Sequence, residues 1–180
     1  MNFKNLFKEK VNIYKEKGKR LDISNCKKVS VVIPNYNYEN YIIERIDSVV
    51  NQTYPIYELI ILDDNSKDNS VKVIDKKVEK IREKFPEINV EFIKYDQNSG
   101  NVFCGWQRAF ELSTGDFLWI AEADDSCSPK FLETVMKGFE DKETVISYCE
   151  SLTMDEKNVI LMKDLRPWID IFNIGKWNND

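Results

Sequence analysis

Two kinds of hydrophobic run alternate along this chain. Residues 29–33 (VSVVI) form a short β-branched stretch that reads as a buried strand stopped by Pro34. Ile42, Ile46, Val49 and Val50 then recur at helical spacing up to the break at Gln52-Thr53-Tyr54-Pro55. Residues 59–62 make a second apolar strand, followed by Asp63-Asp64-Asn65-Ser66 and a helical stripe through Val71, Ile74, Val78, Ile81 and Phe85 that closes at Pro86. Val90, Phe92 and Tyr95 alternate as a third strand. Beyond the polar turn 96–100 a helix is predicted to bury Val102, Phe103, Trp106, Ala109 and Phe110 and to end at Gly115. The fourth strand is 117–121, a helix is predicted over 129–139, a fifth strand over 144–149, and the run 159–162 pairs as another.

Strands and helices that alternate in this way, with strands apolar throughout, predict an α/β fold: a mostly parallel sheet with helices on both faces and right-handed crossovers. Ligands in such folds gather outside the carboxyl ends of the strands. Polar clusters follow the first, second and fourth strands, at residues 34–38, 63–66 and 122–126, so three strand ends are expected to converge on one crevice.

The chemistry of these clusters narrows the reading. Glu122-Ala123-Asp124-Asp125 places three carboxylates within four residues at a strand end, which suits a hard cation such as Mg2+ or Mn2+ held against a diphosphate. The same turn also reads as a helix start, with Ser126 or Ser128 capping before Pro129. Pro34-Asn35-Tyr36-Asn37 offers amides and a ring to a nucleoside base, or simply makes a turn. Asp64 is placed to accept from a base N–H, or to cap the next helix, a role open to Asp68 as well.

Composition removes several alternatives. With no histidine, Ser-His-Asp and Cys-His catalysis and His-ligated zinc are excluded. Cys26, Cys104, Cys127 and Cys149 have no C-x-x-C spacing and read as reduced thiols of a cytoplasmic protein. Neither G-x-G-x-x-G nor G-x-x-x-x-G-K-[ST] occurs, so dinucleotide and P-loop readings lose their support. A hydrophobic content of 42% over 180 residues is enough for one domain. Residues 1–28 carry nine Lys/Arg against three Asp/Glu, a net of +6, which leaves −11 on the rest of a chain whose formal charge is −5. The body is therefore no general nucleic-acid binder. The basic, weakly amphipathic start, with Phe3, Leu6, Phe7, Ile13 and Tyr14, reads as a solvated helix and linker, with peripheral contact to an anionic membrane as the other reading. No apolar stretch approaches the roughly 18 residues of a membrane span.

Taken together, VSVVIPNYN at 29–37, LIILDDNS at 59–66, NSG at 98–100 and GDFLWIAEADD at 115–125 resemble family 2 glycosyltransferases in order and spacing. The resemblance spans about residues 29–165 and implies a Rossmann-like GT-A domain that transfers sugar from a nucleoside-diphosphate sugar, most simply a UDP-sugar, with inversion and with Mg2+ or Mn2+. A carbohydrate or glycolipid acceptor and a place in polysaccharide or glycoconjugate synthesis are implied at the family level. Carried over by position, Pro34 and Tyr36, with Asn35 and Asn37 in the same element, line the base pocket, and Asp64 contacts the base. Glu122-Ala123-Asp124 is the D-x-D element, with Asp124 and Asp125 as the ribose and metal contacts.

Three departures stand out. The leading aspartate of D-x-D is Glu122, one methylene longer. A glutamate that often follows the first motif is Tyr38 here, with Glu39 one place late. The positive residue that some relatives place near the phosphates is Asn101, with Arg108 nearby. The family's acidic general base is expected well beyond the D-x-D element, past the last residue of this sequence, so that Asp164, Asp170 and Asp180 qualify by residue type alone and Trp168 and Trp177 pack the end. Residues 166–180 then read as the start of an incomplete acceptor-side segment, and the chain as the donor-binding part of a longer enzyme. A binding module of the same fold that transfers nothing is the alternative. A sugar nucleotidyltransferase is disfavoured because no glycine- and arginine-rich loop follows the first strand.

Overall fold

A computed structural model of the chain describes residues 20–22, 24, 26–149, 151–155 and 160–162. The basic segment before residue 20, together with Asp164, Trp168, Asp170, Trp177 and Asp180, lies outside the described residues. The described residues fall into two compact units divided between Thr134 and Val135.

In the first unit the elements follow the order β1 (Val29–Asn35), α1 (Ile42–Val50), β2 (Glu58–Asp63), α2 (Ser70–Lys84), β3 (Asn89–Lys94), α3 (Val102–Leu112) and β4 (Phe117–Ile120). All four strands are parallel, in the order β3-β2-β1-β4. The two central strands are buried almost throughout, which is why they read as continuous apolar runs. Alternation along them feeds two cores. Val32, Ile60 and Leu62 meet Ala109 of α3, with Ile93, Tyr95, Leu112, Leu118 and Ile120 packed around them. Val31, Ile33, Leu59 and Ile61 point the other way, to the face carrying α1 and α2, whose Ile42, Ile46, Ile74 and Val78 are equally buried.

At the amino ends of the strands a buried polar knot ties three segments together. Glu58, almost fully buried, accepts from Ser30 Oγ (2.5 Å) and from Thr114 N (2.6 Å), while Ser30 Oγ accepts from Gly115 N (2.8 Å). A buried carboxylate is tolerated because these donors satisfy it.

Several expectations are corrected. The first strand runs through Pro34 to Asn35 instead of stopping at Ile33. Val32 O still receives a bond from Ala121 N, but the β1–β4 register ends there, so the missing N–H of Pro34 falls where no ladder partner is needed. On α3 the predicted apolar face is not the buried one: Val102, Phe103, Trp106 and Phe110 are exposed and only Ala109 is buried. The helix instead lays down its small stripe of Gly105, Ala109 and Leu112, and a Cβ at Gly105 would stand 3.2 Å from Pro34 Cβ. The predicted helix over 129–139 divides into α4 (Phe131–Met136) and a 3-10 turn (Lys137–Glu140). Residues 144–149 form no strand. In the second unit Thr153–Met154 (β5) pairs antiparallel with Ile160–Met162 (β6) as a separate ribbon. Among the described residues no helix is long and apolar enough to cross a membrane.

Candidate functional site

The carboxyl ends of β2, β1 and β4 lie side by side. Asn35 stands opposite Asp63 and Val32 opposite Ile120, so extending the registers sets Asp64 level with Tyr36 and Glu122 level with Pro34. Successive strand residues alternate in direction, and the paired aspartates divide accordingly. Asp63 is buried and structural: it accepts from Asn35 Nδ2 (2.8 Å), Ser66 N (2.9 Å) and Ser66 Oγ (2.6 Å). Asp64, half-buried, turns toward the next loop and accepts from Ser99 N (2.9 Å) and Ser99 Oγ (2.7 Å) on Oδ2 and from Arg108 Nη1 (3.0 Å) on Oδ1. Burial pushes its carboxyl up, but the Ser99 hydrogen bonds and the Arg108 guanidinium outweigh this and hold it below the usual range. Asp64 does not cap α2, whose first residue Ser70 donates its N–H to Asp68 (2.9 Å).

The first motif divides its duties. Asn35 is buried, and its amide nitrogen donates to Asp63 and Ser66, so it ties β1 to β2. Asn37, at φ 62°, donates its N–H to Ser66 Oγ (2.9 Å) and accepts from Lys67 N (2.7 Å), closing the turn between the two strand ends. Left-handed φ suits asparagine better than most residues. Tyr36 is the member that presents an exposed ring. Asn101 caps α3 by accepting from Phe103 N (2.9 Å) and is exposed.

At the end of β4, Glu122 is half-buried and accepts from Trp106 Nε1 (2.8 Å), while Asp124 and Asp125 are exposed. The Asp125 N–H bonds back to Glu122 O (3.2 Å), so the D-x-D element makes a tight turn. Tyr38 lies against it: burial first, then Asp124 and Glu122, raises its phenol and keeps it a proton donor. Among the described residues no three His, Cys, Asp or Glu side chains are arranged to cage a metal by themselves. The exposed Asp124 and Asp125 offer hard carboxylate oxygens, a donor type compatible with Mg2+ or Mn2+, which take one or two carboxylates and complete their shell with substrate phosphates and water.

A residue not foreseen, Arg45, and one whose register was open, Arg108, complete the site. Arg45 of α1 is 4% exposed, sits 5.2 Å from the Trp119 ring and leaves Nε without a hydrogen bond. Burial lowers its basicity, opposed by Cys127, Asp125, Glu122 and Asp124, so a buried cation already lies near the acidic turn. Its signal was an arginine at a core position of the stripe Ile42, Ile46, Val49. Arg108 stacks 3.6 Å over the Tyr95 ring while paired to Asp64. The front of α3 therefore bridges the rim, with Gly105 beside Pro34 of β1, Trp106 on Glu122 after β4 and Arg108 on Asp64 after β2.

Known proteins resemble this chain in sequence and fold. Over 118 residues the chain is 34% identical to an uncharacterized glycosyltransferase of Nostoc sp., covering 66% of this chain and 34% of that protein. It is 36% identical over 100 residues to the poly(ribitol-phosphate) beta-glucosyltransferase of Bacillus spizizenii, covering 54% of this chain and 15% of that one. Among solved structures, S. aureus TarS 1-349 in complex with UDP superposes with a TM-score of 0.54 at 26% identity, over 63% of this chain and 32% of that chain. The mannosyltransferase PcManGT from Pyrobaculum calidifontis, in complex with GDP-Man and Mn2+, shares the fold with a TM-score of 0.53 at 19% identity, over 76% of this chain and 39% of that one. The chain thus spans about a third of the Nostoc protein's length and of the TarS chain. Residues 30–178 match the model of glycosyl transferase family 2, and with the GT-A arrangement of its sheet and strand-end motifs the chain belongs to that family.

Proposed function

We propose that residues 29–165 form the donor-binding domain of an inverting, metal-assisted glycosyltransferase whose donor is a nucleoside-diphosphate sugar, most simply a UDP-sugar, in polysaccharide or glycoconjugate synthesis. The observation that carries this reading is the meeting of an exposed aromatic ring, an ionised Asp64 and an acidic turn on neighbouring strand ends. Tyr36 stacks on the base and Asp64 accepts from its N–H. Glu122 and Asp124 hold the ribose, and Asp124 and Asp125 face the diphosphate. Asp124 and Asp125 would hold a divalent cation there, which would supply positive charge to neutralise the departing diphosphate. The UDP held by TarS supports the choice of nucleotide, and the polymer named as the substrate of the Bacillus relative supports a polymeric, phosphate-bearing acceptor.

Calorimetric titration of the 180-residue chain with UDP, GDP and dTDP, with and without Mn2+, tests the proposal. UDP is expected to bind tightest and only with the cation, and Asp124→Ala/Asp125→Ala to abolish binding in the presence of Mn2+. Metal-independent binding retires the ion bridge. Failure of all three nucleotides retires the donor site.

A further inference from the structure

A glutamate at the head of the acidic turn poses a geometric problem. Compared with an aspartate it has one more torsion, so its carboxylate spreads over more positions unless something holds it. Here something does: Trp106 Nε1 donates to Glu122 Oε1 at 2.8 Å. Indole N–H is a donor only, and this one bond leaves most of the carboxylate's acceptor capacity for a ligand.

The tryptophan is itself held. Its ring meets Phe103 edge to face, with centroids 5.3 Å apart and planes at 87°. The next residue back, Gly105, brings the helix within van der Waals distance of Pro34 at the end of β1. Phe103 is 63% exposed, so core burial does not account for it, whereas bracing Trp106 does. A line of contacts thus runs from the β1 end, through the front of α3, to the carboxylate after β4.

Resting on the donor-site reading above, we propose that Trp106 is a positioning residue, which fixes the longer Glu122 side chain where it accepts from a ribose hydroxyl of the nucleotide. Its importance depends on the residue at 122: a shorter side chain there needs no indole to hold it.

Binding of UDP, GDP and dTDP with Mn2+ is compared in the wild-type chain, Trp106→Phe, Glu122→Asp and the double variant, using whichever nucleotide the wild type binds tightest. Trp106→Phe keeps the ring and removes the N–H. It is expected to weaken binding about tenfold with Glu122 present and less than twofold with Asp at 122. The indole N–H resonance that disappears in Trp106→Phe is expected to move in Glu122→Gln without nucleotide. Equal losses in both backgrounds reduce Trp106 to a packing residue and overturn the inference, as does an unaffected Trp106→Phe or an unmoved resonance. If the wild type binds none of the nucleotides, the donor reading and this inference fall together. Normal wild-type binding with an indifferent Trp106→Phe sinks this inference alone.

Discussion

Replacing Asp64 tests whether the site is a preorganised rim or a set of independent loops. Its carboxylate receives two hydrogen bonds from Ser99 and one from Arg108, and thereby joins the β2 end, the loop after β3 and α3. A hydrogen bond to a charged group contributes about 1.5–3 kcal/mol. The side chains of Arg108 and Asp64 are 26% and 20% exposed, so solvent screening keeps the pair at the low end, and the three bonds are not additive. Asp64→Ala, which also strands Arg108 over Tyr95, is therefore expected to cost about 2–3 kcal/mol. Asp64→Asn retains an oxygen for Ser99 and loses the charge, for about half that. With an m-value of about 2–3 kcal/mol/M in urea for a chain of this size, Asp64→Ala lowers the unfolding midpoint by about 1 M. The pH dependence has a definite sign. A carboxyl held low in the folded state contributes stability above its unfolded ionisation near pH 4, and that contribution disappears as pH falls through the lower folded value. The gap between wild type and Asp64→Asn should therefore be full at pH 7 and close below about pH 4. A midpoint shift under about 0.3 M for Asp64→Ala, or a gap that persists in acid, refutes the stapling argument.

Two further substitutions probe the scaffold beneath the site. A Cβ at Gly115 would lie 2.6 Å from Ser30 Oγ, 2.8 Å from Lys28 O and 2.9 Å from Ser30 N, two of them backbone atoms that have no room to yield. Gly115→Ala is expected to cost about 2–3 kcal/mol and lower the melting temperature by about 4–10 °C in a thermal scan, and an unchanged melting temperature counts against the polar knot. Arg45→Lys keeps the buried charge but loses the flat guanidinium near Trp119; urea unfolding should show a loss of about 1–2 kcal/mol, and a neutral result removes Arg45 from the support of the acidic turn.

How the motifs divide their labour was only partly readable from the chain. Both residues of Asp63-Asp64 are acidic, and strand alternation chooses between them once the register of β2 against β1 is known. Asn35 and Asn37 look alike as amides, yet one is buried between strand ends and the other closes a turn at positive φ. Trp106 sits in an apolar helical stripe, with nothing local to announce that its N–H reaches a carboxylate sixteen residues on.

Order and kind of element were written locally. Buried parallel strands must be continuously apolar, and α1 and α2 must repeat at three and four residues, so β1, β2 and both helices were visible without coordinates. Which stripe of α3 goes down was not, because its apolar residues stand on two faces, and close packing against Pro34 selects the one bearing Gly105 and Ala109. Residues 144–149 make the same point: β-branched residues confer a propensity, and a strand forms only where the tertiary fold supplies a ladder. Pattern alone determined the α/β architecture and the three polar strand ends, since both follow from burial period and chain order. Assembly of those ends into one rim, braced by α3 and underlain by Arg45, belongs to the tertiary structure, because hydrogen bonds and buried charge depend on distances between residues far apart in the chain.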